Sequence, residues 1–158
     1  MSETKRIKDQ LTRAFRGEAW HGPSVMELLD DVTAEQAAAH PIAGAHSIWE
    51  IVLHINTWER IARRRIEEWT PIEVPPEEDW PVVTDTTEHA WKNTVNALKL
   101  NHEVLRGLVG TLDESRLTEI VRGTQYSIYF LLHGVIQHDL YHAGQIALLK
   151  KASQKGDE

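Results

Sequence analysis

The chain has 158 residues, 41% hydrophobic and 26% charged, the balance of a folded globular protein with room for one sizeable core rather than two. Seventeen Lys and Arg stand against 24 Asp and Glu, a formal charge of −7, which offers no general attraction to phosphate and argues against a nucleic-acid partner. Cysteine is absent, so disulfides, thiolate metal sites and a cysteine nucleophile are excluded, and any thiol chemistry must use a thiol that diffuses in.

The opening stretch MSETKRIKDQLTRAF has no apolar h-region, and no apolar run approaches the ~20 residues of a membrane helix. The expectation is a cytoplasmic chain with no membrane partner. Ile7, Leu11, Ala14 and Phe15 follow helical spacing and predict a first helix ending near Gly17. Gly22-Pro23 restarts a short run over 24–29, and Thr33-x-x-Gln36 resembles a capping box before an Ala-rich turn over 34–39.

Ser47-x-x-Glu50 is a second capping box and starts a long helix at Ile48. Ile51, Ile55, Trp58, Ala62, Ile66 and Trp69 form one stripe along it, and Thr70-Pro71 stops it. Residues 70–86 carry Pro71, Pro75, Pro76 and Pro81 and exclude a regular helix. Extended, that linker reaches ~56 Å, whereas a helix over 48–69 is about 33 Å long. The linker can therefore run back along the molecule and let the second and third helices lie parallel.

The third helix starts near Asp85-x-x-Glu88 and carries Trp91, Val95, Leu98, His102, Leu105 and Val109 as far as Gly110. A turn over 112–117 and an irregular stretch over 119–125 lead to the fourth helix, about 127–152. It has Leu131, Val135, His138, His142, Gln145 and Leu149 on one side. The expected architecture is an all-α four-helix bundle, a single domain over 1–152 with a long crossover between helices two and three, followed by a polar tail over 153–158.

The chemistry concentrates in His138-Asp139-Leu140-Tyr141-His142. Histidines at i and i+4 lie about 40° apart around a helix, with their rings roughly 6 Å apart, so both can reach one ion at the ~2.0–2.1 Å of a zinc–nitrogen bond. Leu131, Val135 and Leu149 share that face, which points it into the bundle, where unpaired imidazoles are costly unless something binds them. The alternative is a pair of core histidines satisfied by carbonyls or carboxylates. Asp139 stands where the zinc-protease helix motif requires Glu, so that reading fails. His54 lies at the edge of the second helix's stripe, about 60° from Ile51. It is a third ligand if helices two and four touch, and a structural histidine otherwise.

Two segments carry a resemblance to a known family. Ala45-His46-Ser47-Ile48-Trp49-Glu50-Ile51-Val52-Leu53-His54 resembles the segment around the first metal ligand of the DinB/YfiT-like superfamily. His138-Asp139-Leu140-Tyr141-His142-Ala143-Gly144-Gln145-Ile146 resembles its C-terminal motif. The likeness extends over roughly residues 4–151, the Pro-rich linker included. It implies an up-down-down-up four-helix bundle with a divalent metal on His54, His138 and His142. Relatives include transferases and isomerases that use low-molecular-weight thiols such as bacillithiol or mycothiol, and many others have no assigned reaction.

Three neutral imidazoles leave an ion its full charge and an open position. Such an ion lowers the pKa of a bound water or an entering thiol. Imidazole suits zinc, nickel, copper and iron, and zinc or nickel is the expectation. The function implied is transfer of a low-molecular-weight thiol or similar nucleophile to a small electrophilic substrate. The alternatives are metal-dependent hydrolysis of a small amide or ester, and a non-catalytic, stress-associated metal-binding bundle.

Glu50, one turn before His54, is a candidate general base or the N3 member of its capping box. Gln145 is a candidate to hold substrate or water, or a core hydrogen-bonding group. Tyr141 is a candidate donor to a bound anion, or a packing residue. Asp139 is either solvated or bonded to a neighbouring helix, and His102 is a candidate support for the ligands. His46 serves to orient its loop. His133, about 140° from His138, should not share its metal. Trp58 is a candidate pocket wall. Gly134 and Gly144 cost about 1 kcal/mol each against Ala in a helix and suggest close approach of another helix or of a second subunit, hence a possible homodimer.

Overall fold

A computed structural model of the chain describes residues 1–154. In chain order its helices are α1 (Glu3–Arg16), α2 (Val25–Leu29), α3 (Ala34–Ala38), α4 (Ile48–Glu67), α5 (Pro76–Asp79), α6 (Glu88–Thr111) and α7 (Ile128–Gln154), with a 3-10 turn at Glu114–Thr118 before α7. Among the described residues the only β pairing is an isolated bridge between Ile120 and Ser127. No helix there is long and apolar enough to cross a membrane.

Local chemistry sets the helix starts. The side chains of Ser2, Thr33, Ser47 and Thr87 each accept a hydrogen bond from a backbone N–H in the first turn that has no partner inside the helix. At Ser24, Thr33 and Ser47 an acid or amide three residues on completes a capping box. Gly17 closes α1 at φ 90°, a conformation that costs other residues more. The second long helix ends at Glu67, two residues short of the sequence expectation, because Trp69 turns left-handed at φ 51° ahead of Pro71. The crossover departs from expectation once. Pro75 and Pro76 open a single helical turn, α5, at the one place in a helix where a missing N–H is harmless.

The four long helices pack so that α1 and α4 each touch both α6 and α7. Hydrogen bonds give their directions. Trp49 pairs with Thr94, Asn56 with Asn101 and Glu59 with His102, so α4 and α6 run the same way. Arg16 pairs with Glu103, and the backbone N–H of Glu3 donates to Glu114, so α1 runs against α6. His54 meets His142, and Arg65 meets Tyr126 just before α7, so α7 runs against α4.

The core has two apolar clusters. One gathers Trp49, Ile51, Ile55, Trp91, Leu98, Ala143 and Ile146, and the other Leu11, Ala62, Ile66, Leu105, Leu132, Val135 and Ile136. The polar side chains that matter here lie where these two meet.

Candidate metal centre

The side chains of His54 from α4 and of His138 and His142 from α7 converge on one point. His138 Nε2 lies 3.0 Å from His54 Nε2 and 3.1 Å from His142 Nε2. His54 and His142 are buried and His138 is half-buried. Ligand nitrogens around a tetrahedral ion at ~2.0–2.1 Å stand about 3.3 Å apart, so a few tenths of an ångström of outward movement would seat one.

The outer faces of two rings are already committed. His54 Nδ1 donates to the backbone oxygen of Asp79 at 2.7 Å and lies 3.1 Å from its carboxylate. The same carboxylate accepts from Trp58 Nε1 at 2.7 Å. His142 Nδ1 donates to Gln145 Oε1 at 2.6 Å. Carbonyl oxygens only accept, so each of these Nδ1 atoms carries the proton and each Nε2 turns a lone pair inward. Outer partners of this kind fix tautomer and ring orientation in metal sites. Trp80 stacks flat on His54 at 3.8 Å and on His46 at 3.6 Å, which holds the His54 plane.

Electrostatics keep the rings in ligand form. Burial, followed by the neighbouring imidazoles of His142 and His54, pushes His138 down to about 3. Burial likewise lowers His54 and His142. All three are therefore neutral at neutral pH, as coordination requires. Beside His138 opens a cavity of about 210 Å³ whose walls include Trp58, Ala62, Arg65, Phe130 and Val135.

The other residues singled out in the sequence fall in different places. Glu50 accepts from the Ser47 backbone N–H at 2.7 Å and lies 3.1 Å from His40 Nε2, and it has no hydrogen bond to the three histidines. Tyr141 is exposed, its ring centroid 5.1 Å from that of His142. Gln145 touches the trio through His142. His133 packs against Tyr129, away from the trio. A Cβ added at Gly134 or Gly144 would meet nothing within 4 Å, so among the described residues no helix uses the space those glycines leave.

Asp139 and His102 form a second group with Glu59. All three are buried, at 0%, 0% and 1% exposure. His102 Nδ1 lies 2.7 Å from Glu59 Oε1, and Phe15 stacks on the His102 ring.

Sequence reasoning missed Asp79, Trp80 and Glu59. The first two are the last residue of α5 and the one after it, in a crossover with no periodicity to say where it docks. Glu59 left a trace, because it falls within the apolar stripe between Ile55 and Ala62.

No curated protein and no solved structure matches the chain. The sequence model of the DinB superfamily matches residues 20–146. That span covers α2 to most of α7 and takes in both histidine-bearing segments, and the chain belongs to the DinB superfamily.

Proposed function

We propose that this protein is a metalloenzyme in which His54, His138 and His142 hold one divalent transition metal, zinc or nickel, and that it transfers a low-molecular-weight thiol to a small electrophile. The observation carrying this is the convergence of three neutral imidazoles, two with their tautomers fixed from outside, beside an apolar cavity. Three histidines leave room for a further ligand, and a metal bound there lowers the pKa of a thiol or water that enters it.

The residues of the chain supply the rest. Trp58, Ala62, Phe130 and Val135 offer apolar surface to the electrophile and exclude water around it. Arg65 donates to the Tyr126 hydroxyl and the Ile72 carbonyl, which fixes it as part of the wall. In the transfer, a sulfur–carbon bond forms at the electrophilic carbon. The leaving group departs with the bonding electron pair, and the thiol proton passes to solvent. Glu50, committed to the cap of α4, has no direct path to that proton.

We read the helix directions as an up-down-down-up bundle occupying residues 1–152 as one domain. The parallel pairing of α4 with α6 and the return of the crossover to His54 support this.

The test compares the protein with a His138→Ala/His142→Ala variant after incubation with zinc or nickel. Mass spectrometry should find one metal equivalent fewer in the variant. The wild type should join thiol to a model electrophile such as a halonitroarene, with the thiol in the product. Equal metal in both proteins overturns the site. Hydrolysis of esters at a rate indifferent to thiol, without thioether product, replaces transfer by hydrolysis.

A further inference from the structure

The second polar group stands apart from the tri-histidine centre and has no role in the function proposed above. Glu59, His102 and Asp139 come from three helices, α4, α6 and α7. On each helix they occupy the step between the two apolar clusters. Glu59 lies between Ile55 and Ala62, His102 between Leu98 and Leu105, and Asp139 between Ile136 and Ala143. The result is one polar layer across an otherwise hydrocarbon core.

That layer is incompletely satisfied. Glu59 Oε2, His102 Nε2 and both carboxylate oxygens of Asp139 are buried without a hydrogen-bond partner. Natural cores rarely leave such groups unpaired, and two carboxyl groups facing each other in hydrocarbon are among the costliest arrangements. One potential ligand atom from each of the three residues lies within 4.8 Å of the others, the span of donors that share a single ion. Two carboxylates and one neutral imidazole carry two negative charges, and a divalent cation cancels them.

We propose that Glu59, His102 and Asp139 form a second, buried divalent-cation site that cross-links α4, α6 and α7. Its donors are mainly oxygen, whereas those of the tri-histidine centre are all nitrogen. It therefore accepts harder ions, manganese and iron(II) as well as zinc. Asp139, with both oxygens free, binds through one or both. Full burial leaves no open path for a substrate, so the site is structural. The ion enters as the helices assemble.

The experiment counts metal with loading controlled. Protein refolded from denaturant in excess zinc, and separately in excess manganese, is desalted and measured by mass spectrometry. With zinc, the wild type should hold two equivalents per chain and the His138→Ala/His142→Ala variant one. A Glu59→Gln/Asp139→Asn variant, which keeps shape and loses both charges, should also hold one. With manganese the same Glu59→Gln/Asp139→Asn change should remove the bound ion. Circular dichroism verifies that each variant is helical. Cobalt in the wild type gives a reading that needs no variant, since its visible absorption should saturate at two equivalents with two distinct spectra. A single zinc equivalent in the wild type, lost in the tri-histidine variant, overturns the proposal and leaves a hydrogen-bonded, proton-sharing layer. Losing that equivalent while still helical distinguishes it from failure of the tri-histidine site, in which the same variant would lose nothing.

Discussion

The imidazoles of the tri-histidine centre depend on what lies behind them, and two substitutions separate support from ligation. Gln145→Leu removes the acceptor of His142 Nδ1 and frees that ring to take the wrong tautomer. Metal affinity, measured by competition with a coloured chelator, should fall ~10–100-fold, while helix content stays unchanged. Glu50→Ala should do the reverse. It removes the acceptor from the Ser47 backbone N–H, costing about 1 kcal/mol of stability in denaturant unfolding and leaving metal affinity alone. A large loss of turnover in Glu50→Ala at unchanged metal content would instead restore it as a base. His138, His142 and Gln145 were readable because one helix carries all three at spacings of four and three residues. His54 was readable as the third member of the trio only through the family motif, since nothing in one helix's periodicity says which other helix it meets.

At the scale of elements, the crossover between α4 and α6 contributes more than length. Its single turn, α5, delivers Asp79 to His54 and Trp58 and lays Trp80 against two histidine rings. Prolines at 75 and 76 narrow the conformations available to the unfolded linker. Replacing both by Gly should cost roughly 0.4–1 kcal/mol each, and metal affinity should fall with it, because the Asp79 carbonyl is no longer held in place. Trp80→Ala, which deletes the stack and keeps the prolines, should also weaken metal binding, with a stability loss of its own because Trp80 packs against the core. The start of α4 was written in the sequence by Ser47 and Glu50, since a cap is a local event within four residues, whereas α6 is capped by Thr87 rather than by the Asp85 of the expected pattern. The docking of α5 was not written there, because it is decided by contacts 21–25 residues away in the chain. Prolines report what a segment cannot be and say nothing of where it rests.

Across the whole molecule, the divided core sets how stability answers to pH, a property no single helix reveals. The apolar stripes announced a bundle, but the polar layer is assembled from one residue on each of three helices and emerges only when they pack. Burial pushes the Glu59 carboxyl up to about 8 and raises Asp139 far above the usual carboxylate range, with the Glu59 charge adding to the effect. Burial also drives His102 down to about 4. In protein stripped of metal, the unfolded chain releases the Glu59 proton near pH 4.5, while the folded chain keeps it to about 8. Over that interval the folded state holds the extra proton, so stability falls as pH rises. The histidines act in the opposite sense, but only below about pH 7.5, where the unfolded chain still holds protons that the folded one refuses. Only between about pH 7.5 and 8 are they neutral in both states, and there the carboxyl effect stands alone. Denaturant unfolding in chelator should therefore show stability declining across that window, by up to ~1.4 kcal/mol per pH unit for each proton involved. Glu59→Gln should make the decline shallower by one proton's worth. A slope identical in both proteins would mean that Glu59 is already ionised in the folded chain, and its charge would then need a partner other than the groups that surround it.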